Sequence, residues 1–301
     1  MSIPFARSES TIASGYCPFC HHGRATIWRA NEPEASGSGC RDIMACLECG
    51  CRYPVPRLSP SGSREYLDSF DQELSTACDC SSGFEQGVAN MQTLLAAHVL
   101  PGLDLQPGAR SLDIGSLSGQ VPAALGRIGF RASGIEPMRS FAAFAKDRGL
   151  DVRQGLFPMA MPLGLTEERF DLVTCFEVIY YFHDLRGCMA ALKNLLTPGG
   201  WLAIKCLQGD AAYFSRHSLF SRYKDNLQAA PTAKSLQRWL SASGFDVKRL
   251  TALPEDRLRN MWDLNLPGVL HKGQTLLNLA LGCLCGPGRA DRIMVIAQRR
   301  K

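Results

Sequence analysis

Beyond Arg110, short apolar runs of strand length alternate with stretches of helical period, and this alternation constrains the fold more than any single residue does. Residues 111–114, 132–136, 151–153, 171–176, 201–207, 245–250 and 292–298 read as strands. Between them, 120–128, 139–148, 185–196 and 233–243 read as helices. The last of these puts Leu236, Trp239 and Leu240 on one face and stops at Gly244. Such a pattern predicts an α/β fold: a doubly wound, seven-stranded, mostly parallel sheet with helices on both faces. No ordinary crossover helix separates the final two strands, so one of them is expected to run antiparallel. Ligands of such sheets sit at the carboxyl ends of the strands.

Upstream, Phe84, Val88, Met91, Leu95 and Val99 share one helical face that ends at Pro101-Gly102. The segment before it is different in kind. Of thirteen cysteines, six (Cys17, Cys20, Cys40, Cys46, Cys49 and Cys51) crowd into one short stretch, whereas Cys175, Cys188 and Cys206 stand singly in apolar runs as small hydrophobes. Clustered cysteines point to metal rather than to a disulfide framework. Cys17-Pro-Phe-Cys20 and Cys46-Leu-Glu-Cys49 are two C-x2-C knuckles that can place four thiolates around one zinc. A module this small needs such a staple, and a closed four-thiolate site leaves the metal structural. A lost or redox-active knuckle is the competing reading, and His21, His22, Cys40 and Cys51 are nearby substitutes as ligands. Residues 31–39 form a flexible loop between the pairs, and Pro54, Pro56 and Pro60 mark the exit. The expected division is a zinc ribbon at 1–65, a polar linker at 66–83 and the α/β domain at 84–301. That domain carries insertions at about 208–231 and 251–290.

No run of some 18 apolar residues suggests a membrane span, and the first residues lack the order of a secretory signal, so a soluble, cytoplasmic protein is expected. The net charge of +5 permits an anionic ligand or RNA but argues for neither.

Between the first strand and first helix lies Ser111-Leu-Asp-Ile-Gly-Ser-Leu-Ser-Gly119. Gly115 and Gly119 allow a tight turn and close approach by a ligand, and the helix after it, with Pro122 in its first turn, presents free N–H groups. Asp113 can accept from an ammonium group, and Glu136, at the end of the next strand, can take both hydroxyls of a ribose. Each piece alone is common; their order is not. A dinucleotide fold competes, but Leu117 fills the middle position that a pyrophosphate needs as glycine.

From about Phe84 onward the chain resembles the class I S-adenosylmethionine-dependent methyltransferases. LDIGSLSG resembles their glycine motif, GIEP their ribose-binding strand end, FDLVTCFEVIYYFHD their fourth-strand motif and LLTPGGWLAIK their turn into the fifth strand. The resemblance implies that Asp113, Gly115, Ser116 and Gly119 hold the methionine half of the cofactor. It further implies Glu136 on the ribose, Pro137 and Met138 beside the adenine, and Phe176 and Glu177 near the sulfonium. Gly199 and Gly200 would be turn residues only. At Gly155-Leu156 the family often has an acid for the adenine amino group, so a backbone carbonyl there is expected to replace it. The stretch 16–70 resembles the zinc ribbon ahead of some sugar C-methyltransferases and enzymes of natural-product or polysaccharide gene clusters. Ribbons of rRNA guanine methyltransferases typically pair Cys with His in the second knuckle, unlike Cys46 and Cys49 here.

Methyl transfer from a sulfonium is an in-line displacement, so the protein aligns the acceptor and, where needed, takes its proton. Tyr180, Tyr181 and His183 follow the fourth strand. His183 is the candidate base, with a surface histidine beside Asp184 as the plainer alternative, and Tyr181 the candidate aromatic wall near the sulfonium. Tyr213, Phe214, Arg216, His217, Phe220, Arg222, Tyr223 and Lys224 would form either a lid suited to an anionic acceptor or a solvated loop. An apolar helix at 275–284 would pack on the core or at a homodimer contact. Three functions follow: methylation of a small molecule such as a sugar, nucleotide-sugar or natural-product intermediate; methylation of RNA with the ribbon as platform; or cofactor binding without catalysis.

Overall fold

The computed structural model describes residues 11–12, 15–34, 39–77, 83–211, 226–253 and 291–301. The N-terminal module holds a three-stranded antiparallel sheet of β2 (Ala25–Pro33), β3 (Cys40–Cys46) and β4 (Arg52–Val55). A second, two-stranded sheet pairs β1 (Thr11–Ile12) with β5 (Arg57–Leu58). Next comes α1 (Pro60–Ala77), over most of the stretch expected as a polar linker. The connection is thus helical as far as Ala77. Ser59 Oγ accepts from Gly62 N–H at 3.1 Å and Pro60 occupies the first helical position, so the helix has a capped start. Its charged residues hide a narrow apolar stripe, Tyr66, Leu67 and Phe70, too short to stand out against a polar average.

Then follow α2 (Phe84–Leu94), running into a π-turn at Leu95–Val99, β6 (Arg110–Ile114), α3 (Gln120–Arg127), β7 (Arg131–Glu136), α4 (Arg139–Asp147) and β8 (Asp151–Gln154). The second half brings β9 (Phe170–Phe176), α5 (Leu185–Leu195), β10 (Leu196–Leu207), α6 (Ala233–Ala242), β11 (Phe245–Leu253) and β12 (Arg292–Arg299). The sheet has seven strands in the order β11-β12-β10-β9-β6-β7-β8, with β12 antiparallel to both neighbours, in line with the expectation that one of the final two strands runs antiparallel. Leu112, Leu172, Ile204 and Val295 are fully buried, as strands covered on both faces require. Because β6 pairs with β7 on one side and β9 on the other, the chain reverses its winding there, which opens a crevice at the strands' carboxyl ends.

The small module is joined to the α/β domain. Arg52 and Ala230 exchange backbone hydrogen bonds at 3.0 and 2.6 Å, and Thr232 Oγ1 donates to the Cys49 carbonyl at 3.0 Å. The buried Cys51 thiol donates to the Ala230 carbonyl, and Phe19 packs on Trp239 with ring centroids 5.4 Å apart. The aromatic and basic residues 213–224 and the apolar stretch 275–284 lie outside the described residues. Among the described residues no helix is long and apolar enough to cross a membrane.

Candidate active site and metal centre

A cavity of about 450 Å³ lies at the switch point. Of the residues singled out in the sequence, Gly115, Leu117, Glu136, Pro137, Met138, Gly155, Leu156, Phe176, Glu177, Tyr180, Tyr181 and His183 line it. Asp113, Ser116 and Gly119 do not line it. The Asp113 carboxylate is buried behind the turn and accepts from Thr174 Oγ1 at 2.5 Å, while Gly119 is packed against Leu150 and Ala145. These three thus pack into the turn beside the cavity. Burial pushes the Asp113 carboxyl up to about 7.

The turn itself shows why glycine is needed. Gly115 has φ +75°, and a Cβ there would collide with Val178 Cγ1. Leu117 adopts φ +46°, an uncommon conformation for a branched residue, and its N–H donates to Glu136 Oε2 at 2.7 Å. Met138 N–H donates to Glu136 Oε1 at 2.9 Å. Two N–H donors thus hold the carboxylate by one lone pair on each oxygen, leaving the others for a diol. Burial pushes Glu136 up to about 7, against the pull of those donors. At the other end, the Leu156 carbonyl accepts from Ala160 N–H at 2.7 Å, so one lone pair is left for an adenine amino group. A glycine turn intolerant of a Cβ, a two-oxygen acceptor and an apolar slot of this volume fit an adenosyl ligand.

Glu177, at φ +59°, lies at the edge of the cavity. Its carboxylate accepts from the Tyr180 hydroxyl at 2.9 Å, pairs with Arg292 Nε at 3.0 Å and with Lys205 Nζ at 3.2 Å. Tyr181 packs edge-on against Tyr180, with centroids 4.5 Å apart, and burial raises both phenols far above their usual range. His183 Nε2 bonds to Ser63 Oγ at 2.6 Å, and Ser63 Oγ also bonds to Asn226 Oδ1. Burial and then the Arg57 charge push His183 down to about 4, so the ring is neutral and a weak base. Sequence reasoning missed Ser63, Tyr66, Leu67 and Phe70 of α1, all in the cavity wall, and Asn226. The signal that could have found them is Pro60 at a helix start followed by Tyr66 and Phe70 one turn apart.

Cys17, Cys20, Cys46 and Cys49 come together as expected, their Sγ atoms all within 4.8 Å of one another. Cys17 and Cys49 are 3.6 Å apart and Cys20 and Cys46 3.5 Å, close to the ~3.8 Å edge of a tetrahedron with ~2.3 Å zinc–sulfur bonds. The four thiols fit a zinc ion, and Cys51 takes the separate role of docking to Ala230.

A family profile described as a methyltransferase domain matches residues 88–250. A tRNA U34 carboxymethyltransferase from Edwardsiella ictaluri is 31% identical over 180 residues, covering 55% of this chain and 54% of that protein. A ubiquinone biosynthesis O-methyltransferase from Azorhizobium caulinodans is 25% identical, covering 52% of this chain and 66% of that protein. The chain thus spans about half the length of the tRNA-modifying relatives it matches. Among solved structures, a chain from the Haloferax volcanii complex of the Trm112 methyltransferase activator with a methyltransferase superposes with a TM-score of 0.52. It is 14% identical, and the match covers 78% of this chain and 99% of that one.

Proposed function

Because the chain belongs to the methyltransferase-domain family, an S-adenosylmethionine-dependent enzyme fold, we propose that it transfers the methyl group to a small-molecule acceptor in the cytoplasm. One observation carries this reading: beyond the Glu136 end, the cavity is walled by Tyr66, Phe70, Phe157, Tyr181 and Phe182, with α1 across it. An aromatic-lined cleft suits a compact molecule better than a polynucleotide backbone, which calls for an open basic face. Among its described residues the ribbon exposes Arg24 but holds its other arginines in place. Arg29 pairs with Glu32 and Arg41 with Glu34, Arg57 is buried, and Arg52 lies over Trp28 with its Nη1 on the Gly50 carbonyl.

The bound cofactor supplies an electrophilic methyl on a sulfonium. The chain's own residues do the rest. Glu136 accepts from the ribose hydroxyls, Gly115 lets the backbone come close, and Pro137 and Met138 flank the base. Tyr181 and Phe176 would wall the part of the cavity that takes the sulfonium, and the aromatic walls would exclude water. We assign His183 as a weak acceptor of the nucleophile's proton, already oriented by Ser63, and Tyr181 as the aromatic wall beside the transferred methyl. Cys17, Cys20, Cys46 and Cys49 would hold zinc and thereby the ribbon.

The test is to incubate the protein with methyl-labelled cofactor and a panel of hydroxyl- and amine-bearing small molecules, with total RNA in parallel. Label in a small molecule supports the proposal, and label in RNA alone sinks it. RNA is the second reading, favoured by the names of the tRNA-modifying relatives.

A further inference from the structure

We propose that Asp71, on the helix that leaves the ribbon, is a positioning residue of the cofactor site: it caps α4 from another helix and so fixes the turn that faces the cofactor. The need arises in the sequence of that turn. α4 opens directly after Glu136-Pro137-Met138, and its N-cap residue, Met138, has no side-chain oxygen to receive the first N–H groups.

Asp71 supplies the missing acceptor. Arg139 N–H donates to its Oδ2 at 2.9 Å, Ser140 N–H to its Oδ1 at 3.2 Å, and the Ser140 hydroxyl also donates to Oδ1. A carboxylate at this end of a helix is further favoured by the helix dipole. The route to the cofactor is one residue long. Met138 N–H donates to Glu136 Oε1, so Met138 is held by its bond to Glu136 on one side and by the capped turn on the other. If the cap loosens, the turn moves, and the carboxylate meant for the ribose loses one of its two fixed donors.

The rest of α1 makes the arrangement a strap. Four residues before Leu67, Ser63 bonds to His183 and Asn226; four residues after it, Asp71 bonds to the start of α4. Between these anchors Tyr66, Leu67 and Phe70 form cavity wall. Binding the nucleoside and seating α1 are therefore coupled: each stabilises the same turn, so each should strengthen the other. The inference rests on the cofactor occupying this cavity.

The experiment uses the whole 301-residue chain loaded with zinc. S-adenosylhomocysteine is titrated calorimetrically into wild type, Asp71→Ala and Asp71→Asn, and amide hydrogen exchange over residues 60–72 and 136–141 is followed with and without it. Loss of the cap in Asp71→Ala should weaken binding by about five- to tenfold, whereas Asp71→Asn, which keeps one amide oxygen, should lose about two- to threefold. Ligand-dependent protection of 60–72 should be present in wild type and absent in Asp71→Ala. A purely structural role would not remove that protection selectively. An alanine variant that binds within about twofold of wild type, with protection intact, overturns the proposal. If the alanine variant does not fold, the asparagine variant decides: a small loss of affinity with reduced protection supports it, and unchanged values overturn it. Failure of wild type itself to bind would instead remove the cofactor from this cavity, a result distinguishable from failure of the Asp71 role.

Discussion

Glu136 is held by two backbone donors at one end of the cavity, and its removal has a direct readout. Glu136→Ala should weaken S-adenosylhomocysteine by about tenfold or more, ~1.4 kcal/mol, in a calorimetric titration. A pH effect belongs to the same residue. Its free carboxyl is pushed up to about 7, and the ribose hydroxyls need the ionised form. Affinity is therefore full above about 7 and falls as pH drops through it, because a proton must leave on binding. Titrations at pH 8 and pH 6 should differ by up to about tenfold, and a flat profile would contradict the assignment. At this scale the sequence was legible where chemistry and spacing coincided, as at Gly115, Glu136 and the four cysteines. It was silent where a role depends on direction. Asp113 stands in the expected place, yet its side chain turns to Thr174. His183 is oriented by a hydroxyl from a helix 120 positions upstream.

Among elements, the β6–α3 turn and the ribbon knuckles can each be broken by one change. Gly115→Ala forces a Cβ into Val178 at positive φ, which costs on the order of 1–3 kcal/mol and closes the cavity floor. Its thermal midpoint should fall, and binding of S-adenosylhomocysteine should be lost. Cys46→Ser should lower bound zinc well below one per chain by metal analysis, and a chelator should reproduce the loss of stability in wild type. The strands and helices of the sheet were legible because each carries its own period. The helix α1 was not, since its three apolar residues acquire meaning only from the cavity they cover.

For the whole molecule, the ribbon and the α/β domain share one interface. Trp239 is 7% exposed and meets Phe19 of the first knuckle. Trp239→Ala should destabilise the protein by ~3–5 kcal/mol, and chelator should strip the metal faster from that variant than from wild type. A gel shift with RNA at two salt concentrations addresses the remaining choice of acceptor, and salt-dependent binding would favour the RNA reading. The exchange of hydrogen bonds between Arg52 and Ala230 crosses the boundary at which the sequence divides into modules. A graft that replaced the ribbon with a foreign one would leave the Ala230 amide and carbonyl, both in buried surroundings, facing no strand. Calorimetry of the intact chain should accordingly record a single melting transition in place of two, and the two modules would have to be exchanged, or inherited, as a pair.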